Sequence, residues 1–211
     1  MVFILDFSGI YFEYITLVYF VKPLLMITLF WYYYSNTKAL NNFYVTGLGF
    51  SFLGDVLLLG NEEIYFILGL LFFLIAHLSY ILMVIRYFQK MTFKLVIIAS
   101  LPYILIFIML LTILYDGLGV MKIPVIVYAI TILVFGIVSL ILYFQNKSNA
   151  SLLLVIGVLI FITSDSVLAL NMFYKKQSIY PLLIMITYVM AQYLICRFVL
   201  LSSKNIKLHI N

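Results

Sequence analysis

Apolar residues run along this chain in stretches of about 17–24, and the few charges fall in short segments between them. At 1.5 Å rise per residue, such a stretch crosses a hydrocarbon core of roughly 30 Å as a helix. Backbone polar groups in lipid must bond internally, which leaves helices or closed barrels. Barrel strands are short and alternate apolar with polar residues, and these stretches do not alternate. The expected fold is therefore all-α: a polytopic transmembrane bundle of eight helices at 3–20, 22–35, 43–60, 64–86, 93–115, 122–144, 150–172 and 179–201. Lys22-Pro23 is the only punctuation between residues 1 and 35. Proline suits the first turn of a helix, where its missing N–H is not needed, so the second helix is placed to start there. The alternative is seven helices, with the first two fused into one long, kinked span. Pro102, Pro124 and Pro181 also fall in the opening turns or first third of their helices. Connections are a handful of residues each, so residues 1–211 read as a single integral membrane domain without an internal repeat.

Composition strengthens this picture. Only 9% of residues are charged against 67% apolar, too little charge to cover a soluble surface. A net charge of +5 would point to nucleic acid in a soluble protein, but no basic run with interleaved aromatics is present. Membrane orientation explains the excess better. Lys38, Arg86, Lys90, Lys94, Lys147, Lys204 and Lys207 lie in one set of loops and the C-terminus, with no acidic residue. The opposite loops mix Lys122, Lys175 and Lys176 with Glu62, Glu63 and Asp116. The basic set marks the cytoplasmic side. The expectation is a bacterial inner-membrane protein with a cytoplasmic C-terminus and, for eight helices, a cytoplasmic N-terminus. Residues 1–20 lack a basic n-region and an A-x-A site and contain Asp6 and Glu13, so no cleavable signal is expected. The single cysteine, Cys196, excludes an internal disulfide and reads as a packing residue.

Ionisable residues deep in a membrane are costly and mark functional sites by default. Two carboxylates qualify, Asp55 and Asp165, five and seven residues before the outer ends of the third and seventh predicted helices. Both then sit roughly 7–11 Å below the outer boundary on helices of the same direction, so they can meet. The alternative is two unrelated packing aspartates, each bonded to a neighbouring hydroxyl. Ser51 shares the face of Asp55, four residues away, whereas Ser164 and Ser166 point to the sides of Asp165 and suit bonds to adjacent helices or backbone. Gly47 and Gly54 permit close helix approach. His77 with Tyr80, and Tyr188 with Gln192, form further polar pairs on single helix faces. Lys22 lies at the outer interface, where snorkelling is the plain alternative to a binding role. The remaining tyrosines and phenylalanines read as interfacial belt and packing. No H-E-x-x-H, G-x-S-x-G or phosphate-cradling glycine loop occurs, and a metal site is disfavoured because the other histidine, His209, lies in the tail.

The ordered residues Lys22-Pro23-Leu24, Ser51-Phe-Leu-Gly54-Asp55, Gly69-x3-Phe73-x3-His77-x2-Tyr80, Pro124-Val125 with Tyr128, Gly157, Phe161, Ser164-Asp165-Ser166 and Tyr188-x2-Ala191-Gln192 resemble the YhhN family of membrane proteins. Its characterised members are lysoplasmalogenases. The resemblance implies hydrolysis of the vinyl ether bond of a lysophospholipid, giving a fatty aldehyde and a glycerophospho-alcohol. Such a bond is cleaved by protonating the alkenyl carbon, adding water to the resulting oxocarbenium ion and letting the hemiacetal collapse. That route asks for an acid and a nearby anion, with no metal or other cofactor. Two close carboxylates that share a proton supply both. On this reading Asp55 and Asp165 are catalytic, while Lys22, Ser51, His77, Tyr80, Tyr188 and Gln192 bind substrate in the same cavity, with the headgroup phosphate at Lys22. The competing classes are a small-solute or proton-coupled transporter, which lacks support in repeat halves or interrupted helices, and a receptor or scaffold, in which the aspartates do not meet.

Overall fold

The computed structural model describes residues 15–60, 62–89 and 91–208, with side chains over 24–203 apart from those two gaps. Seven α-helices form among the described residues: α1 Ile15–Asn36, α2 Asn42–Leu57, α3 Glu63–Ile85, α4 Phe93–Leu114, α5 Lys122–Asn146, α6 Asn149–Phe173 and α7 Tyr180–Leu208. A single 3₁₀ turn, Gly119–Met121, leads into α5. Five of the seven, α3 to α7, are long and apolar enough to cross a membrane.

The expected helix boundary at Lys22-Pro23 is absent, because α1 runs through it from Ile15. A proline removes one backbone donor, and a membrane helix tolerates the loss where neighbouring groups re-satisfy the freed carbonyl. Eight helices are therefore not supported and the alternative count of seven fits; residues 3–14 of the expected first helix lie outside the described residues. Elsewhere the helix ends have local causes. The Asn41 side chain accepts from the Tyr44 N–H at 3.1 Å to start α2. Ser148 and Ser151 cap each other's backbone N–H groups at 3.2 Å to start α6. Lys147, in the left-handed region at φ 44°, ends α5.

Helix α2 stops three residues earlier than expected. Its last turn tightens as Leu59 and Gly60 donate to carbonyls three residues back, at Val56 and Leu57. At 16 residues it is about 24 Å long, short of a full hydrocarbon core.

Six helices close a ring through the pairs α1–α2, α2–α3, α3–α5, α5–α6, α6–α7 and α7–α1. The most extensive contacts are α6–α7 and α2–α3. Helix α4 stands outside the ring and leans on α5, with only Ala99, Tyr103 and Leu114 buried. Glycines set the α2–α3 contact, but by admitting rings rather than backbone. A Cβ on Gly54 would meet the Phe73 ring at 2.7 Å, and one on Gly47 would strike Tyr80. Cys196 is buried in the core, as a packing residue should be.

Candidate active site

Each aspartate is held by a tyrosine from a different helix. The Tyr188 hydroxyl on α7 donates to Asp55 Oδ2 on α2 at 2.8 Å. The Tyr128 hydroxyl on α5 donates to Asp165 Oδ2 on α6 at 2.5 Å. Hydroxyl donors to carboxylates make short, strong hydrogen bonds, so both side chains are oriented rather than loose. Both aspartates are half-buried. Together with the two tyrosines they line one cavity of about 400 Å³. Its mouth carries Glu62, Glu63, Asn171 and Lys176, from the ends and connections of α2–α3 and α6–α7. The cavity thus carries charged side chains from the helix connections and two carboxyl groups from within an apolar bundle.

Counting residues to the helix ends no longer puts the aspartates at one depth. Asp55 lies two residues from the end of α2 (57 − 55) and Asp165 eight from the end of α6 (173 − 165). Along their own helices that is roughly 3 Å and 12 Å. They nevertheless line one cavity, Asp55 from the last turn of the short α2 and Asp165 from about two turns inside α6.

The other polar residues singled out in the sequence lie about one turn deeper. Gln192, four residues beyond Tyr188, donates through Nε2 to Ser51 Oγ at 3.1 Å and accepts from the Tyr80 hydroxyl at 3.1 Å. All three are fully buried and none lines the cavity. His77 is fully buried too, enclosed by aromatic rings: Phe161 at 4.7 Å, Tyr128 at 5.6 Å and Phe135 at 5.8 Å between centroids. Neither of its ring nitrogens has a hydrogen-bond partner among the described residues. Phe161 in turn packs edge-on against Tyr188 at 5.5 Å, so one set of rings underlies both tyrosines. Of the site residues expected from sequence, Asp55, Asp165 and Tyr188 reach the cavity wall. Ser51, Tyr80, Gln192 and His77 form the layer beneath. Lys22 belongs to α1, and its side chain lies outside the described residues.

Ser164 and Ser166 are engaged structurally. Ser164 Oγ donates to the Ile184 carbonyl of α7 at 3.0 Å, and Ser166 Oγ to Ile162 on its own helix at 2.6 Å. Sequence reasoning did not assign Tyr128 to the site, although it holds Asp165. Its signal was depth: it sits six residues into α5 from the same end (128 − 122), roughly 9 Å down and near the level of Asp165.

A model of the YhhN family matches residues 17–199. The chain belongs to the YhhN family. That match takes in α2 to α6 whole, most of α1 and α7, and all the residues that line the cavity. The YhhN resemblance read from scattered motifs thus extends over most of the chain. No curated protein and no solved structure matches it.

Proposed function

We propose that this YhhN member is a lysoplasmalogenase-type hydrolase that cleaves the vinyl ether bond of a lysophospholipid within the membrane. The observation that carries this reading is the pair of tyrosine-anchored aspartates, Asp55 and Asp165, on the wall of one cavity. Vinyl ether hydrolysis needs a proton for carbon and an anion beside the developing oxocarbenium, and two carboxyl groups on one cavity wall, one protonated and one ionised, provide both. Family membership supports the same chemistry, since the YhhN family includes lysoplasmalogenases. A charged mouth above an apolar bundle suits an amphiphile whose headgroup stays near the interface. Tyr128 and Tyr188 orient the carboxylates, and Ser51, Tyr80, Gln192 and His77 brace them from below. Lys22 meets the headgroup phosphate from α1.

The transporter reading is less well served. Transport needs a path to the other side, and below the cavity the centre of the ring is filled by the Ser51–Gln192–Tyr80 bonds and the rings around His77. A scaffold needs no shared cavity between the aspartates. The loop charges support a site in the outer half of the membrane with the C-terminus in the cytoplasm.

The direct test is purified protein on a lysoplasmalogen, with the ester lysophosphatidylcholine as control. Fatty aldehyde should be released from the vinyl ether alone. Absence of aldehyde, or equal attack on the ester, would overturn the reading.

A further inference from the structure

Asp165 and Tyr128 line two cavities. Besides the central one, they border a narrow slot of about 90 Å³ between α4, α5 and α6. Its wall is hydrocarbon over most of its extent, including Phe107, Leu111, Ala129, Ile132 and Ile162. Ser166, which also borders it, is bonded to its own helix. Asp55 and Tyr188 border the central cavity and not the slot. The slot lies under α4, the helix outside the ring, whose Leu101, Leu105 and Ile108 are exposed on an apolar surface that faces lipid in a bilayer. The Tyr128–Asp165 pair thus stands between a hydrocarbon-lined slot and a polar chamber, bordering both.

We propose that the slot takes the first few carbons of the hydrocarbon chain of an amphiphile whose headgroup occupies the central cavity, making Asp165 the acid that protonates carbon and Asp55 the base on the water side. This deepens, and rests on, the hydrolase reading. An occupant that reaches both must be apolar on one side and polar on the other, and the slot is far too narrow for a helix. In a vinyl ether the carbon to be protonated is on the chain side and the oxygen on the headgroup side. Asp165 is the carboxyl that borders the slot, whereas Asp55 borders the central cavity alone.

The steps balance. Tyr128 bonds Asp165 Oδ2, so Oδ1 carries the acid proton. That proton passes to the second alkenyl carbon, the C=C electron pair forms the new C–H bond, and the first carbon becomes an oxocarbenium. Water adds to that carbon and its proton goes to the Asp55 carboxylate. The hemiacetal hydroxyl returns a proton to Asp165 as the carbonyl forms, and the departing glycerol oxygen takes the proton from Asp55. Both carboxyl groups end as they began.

The chain placement can be read without turnover. A lysophospholipid with a saturated ether in place of the vinyl ether, and a diazirine on its chain, should photolabel Ile132 and Ile162. Both are buried and closed to bulk lipid, whereas exposed Leu105 reports background labelling. Ala129→Trp should cut the slot adducts at least about tenfold, and the milder Ala169→Leu, at another residue of the slot wall, covers the case in which tryptophan disrupts the fold. The roles are read with azide, which adds to an oxocarbenium without needing a base. Asp55→Asn should yield the azido ether at least about ten times faster than Asp165→Asn. Adducts confined to α2 or α7, azido ether from Asp165→Asn instead, or none from either variant, would overturn the proposal. A wild type that labels in the slot but releases no aldehyde would leave the chain site standing and remove the hydrolase reading.

Discussion

At the residue scale, the site consists of two carboxylates and the hydroxyls that aim them. If both aspartates act on one reacting bond, Asp55→Asn and Asp165→Asn should each lower kcat by at least about 10²-fold with the fold retained. The double variant should be little worse than either single one, because groups that act as a unit are not additive. Tyr188→Phe removes a hydrogen bond to a carboxylate, worth about 1.5–3 kcal/mol, so about a 10- to 10²-fold loss is expected. Tyr128→Phe, whose partner is the protonated carboxyl, should cost about 0.5–1.5 kcal/mol, a loss of about 2- to 10-fold. Steady-state kinetics on the purified variants check all five; normal turnover in either folded Asp→Asn variant removes the mechanism. Lys22→Met should raise KM more than it lowers kcat if the lysine contributes mainly ground-state binding, and an unchanged KM leaves it as a snorkelling residue. The aspartates were legible because a carboxyl in an apolar run has no ordinary reason to be there. Tyr128 stands out in the sequence only as part of the motif with Pro124-Val125 and without a role, because among 18 tyrosines hydropathy does not separate a hydroxyl that holds a carboxylate from one at the lipid surface. Depth from the helix end separates them, and it applies to hydroxyls as well as charges.

At the scale of elements, hydrophobic run length located the helices well, and their ends moved where local bonding decided. Helix α1 passes through Pro23 because one missing donor does not stop a helix that neighbours can support. Helix α2 ends early because its last turn winds into 3₁₀ bonds at Leu59 and Gly60. Neither outcome is written in hydropathy. The shortness of α2 matters for the site, since it puts Asp55 in a final turn close to the charged mouth. The α2–α3 contact holds that turn in place through Gly54, where a Cβ meets the Phe73 ring at 2.7 Å. Phe73 also packs edge-on against Tyr188, which holds Asp55. Gly54→Val should therefore destabilise the protein by about 1–3 kcal/mol of overpacking and lower activity in the surviving folded fraction. Gly49 is a control on the same helix, since a Cβ there meets nothing within 4 Å. Gly49→Ala should leave both unchanged or slightly raise stability, as alanine is the better helix former. Thermal melts in detergent compare the two; equal effects would mean that Phe73 moves aside freely.

At the scale of the whole molecule, the ring of six helices with α4 outside it could not be read from the sequence. Every helix is apolar, and nothing in a hydropathy pattern says which neighbours pair across the ring. The sequence does carry sidedness, through seven basic and no acidic loop and tail residues on one face against three of each on the other. The cavity mouth, with Glu62, Glu63 and Lys176, belongs to the mixed face. On the proposed hydrolase reading, sidedness decides which leaflet supplies the lipid. The chain suits a direct measurement, because its one cysteine, Cys196, is buried and should give little background labelling. Asp116 and Lys38 are both exposed, in connections on opposite faces of the bundle. In intact cells Asp116→Cys should react with a membrane-impermeant maleimide and Lys38→Cys should not, while both should react once the membrane is opened. A C-terminal reporter that works only outside the cytoplasm should stay silent. The reverse labelling pattern would turn the bundle over and give the site access to cytoplasmic-leaflet lipid. The aspartate chemistry would stand, but the supply of substrate to the cavity would come from the other side.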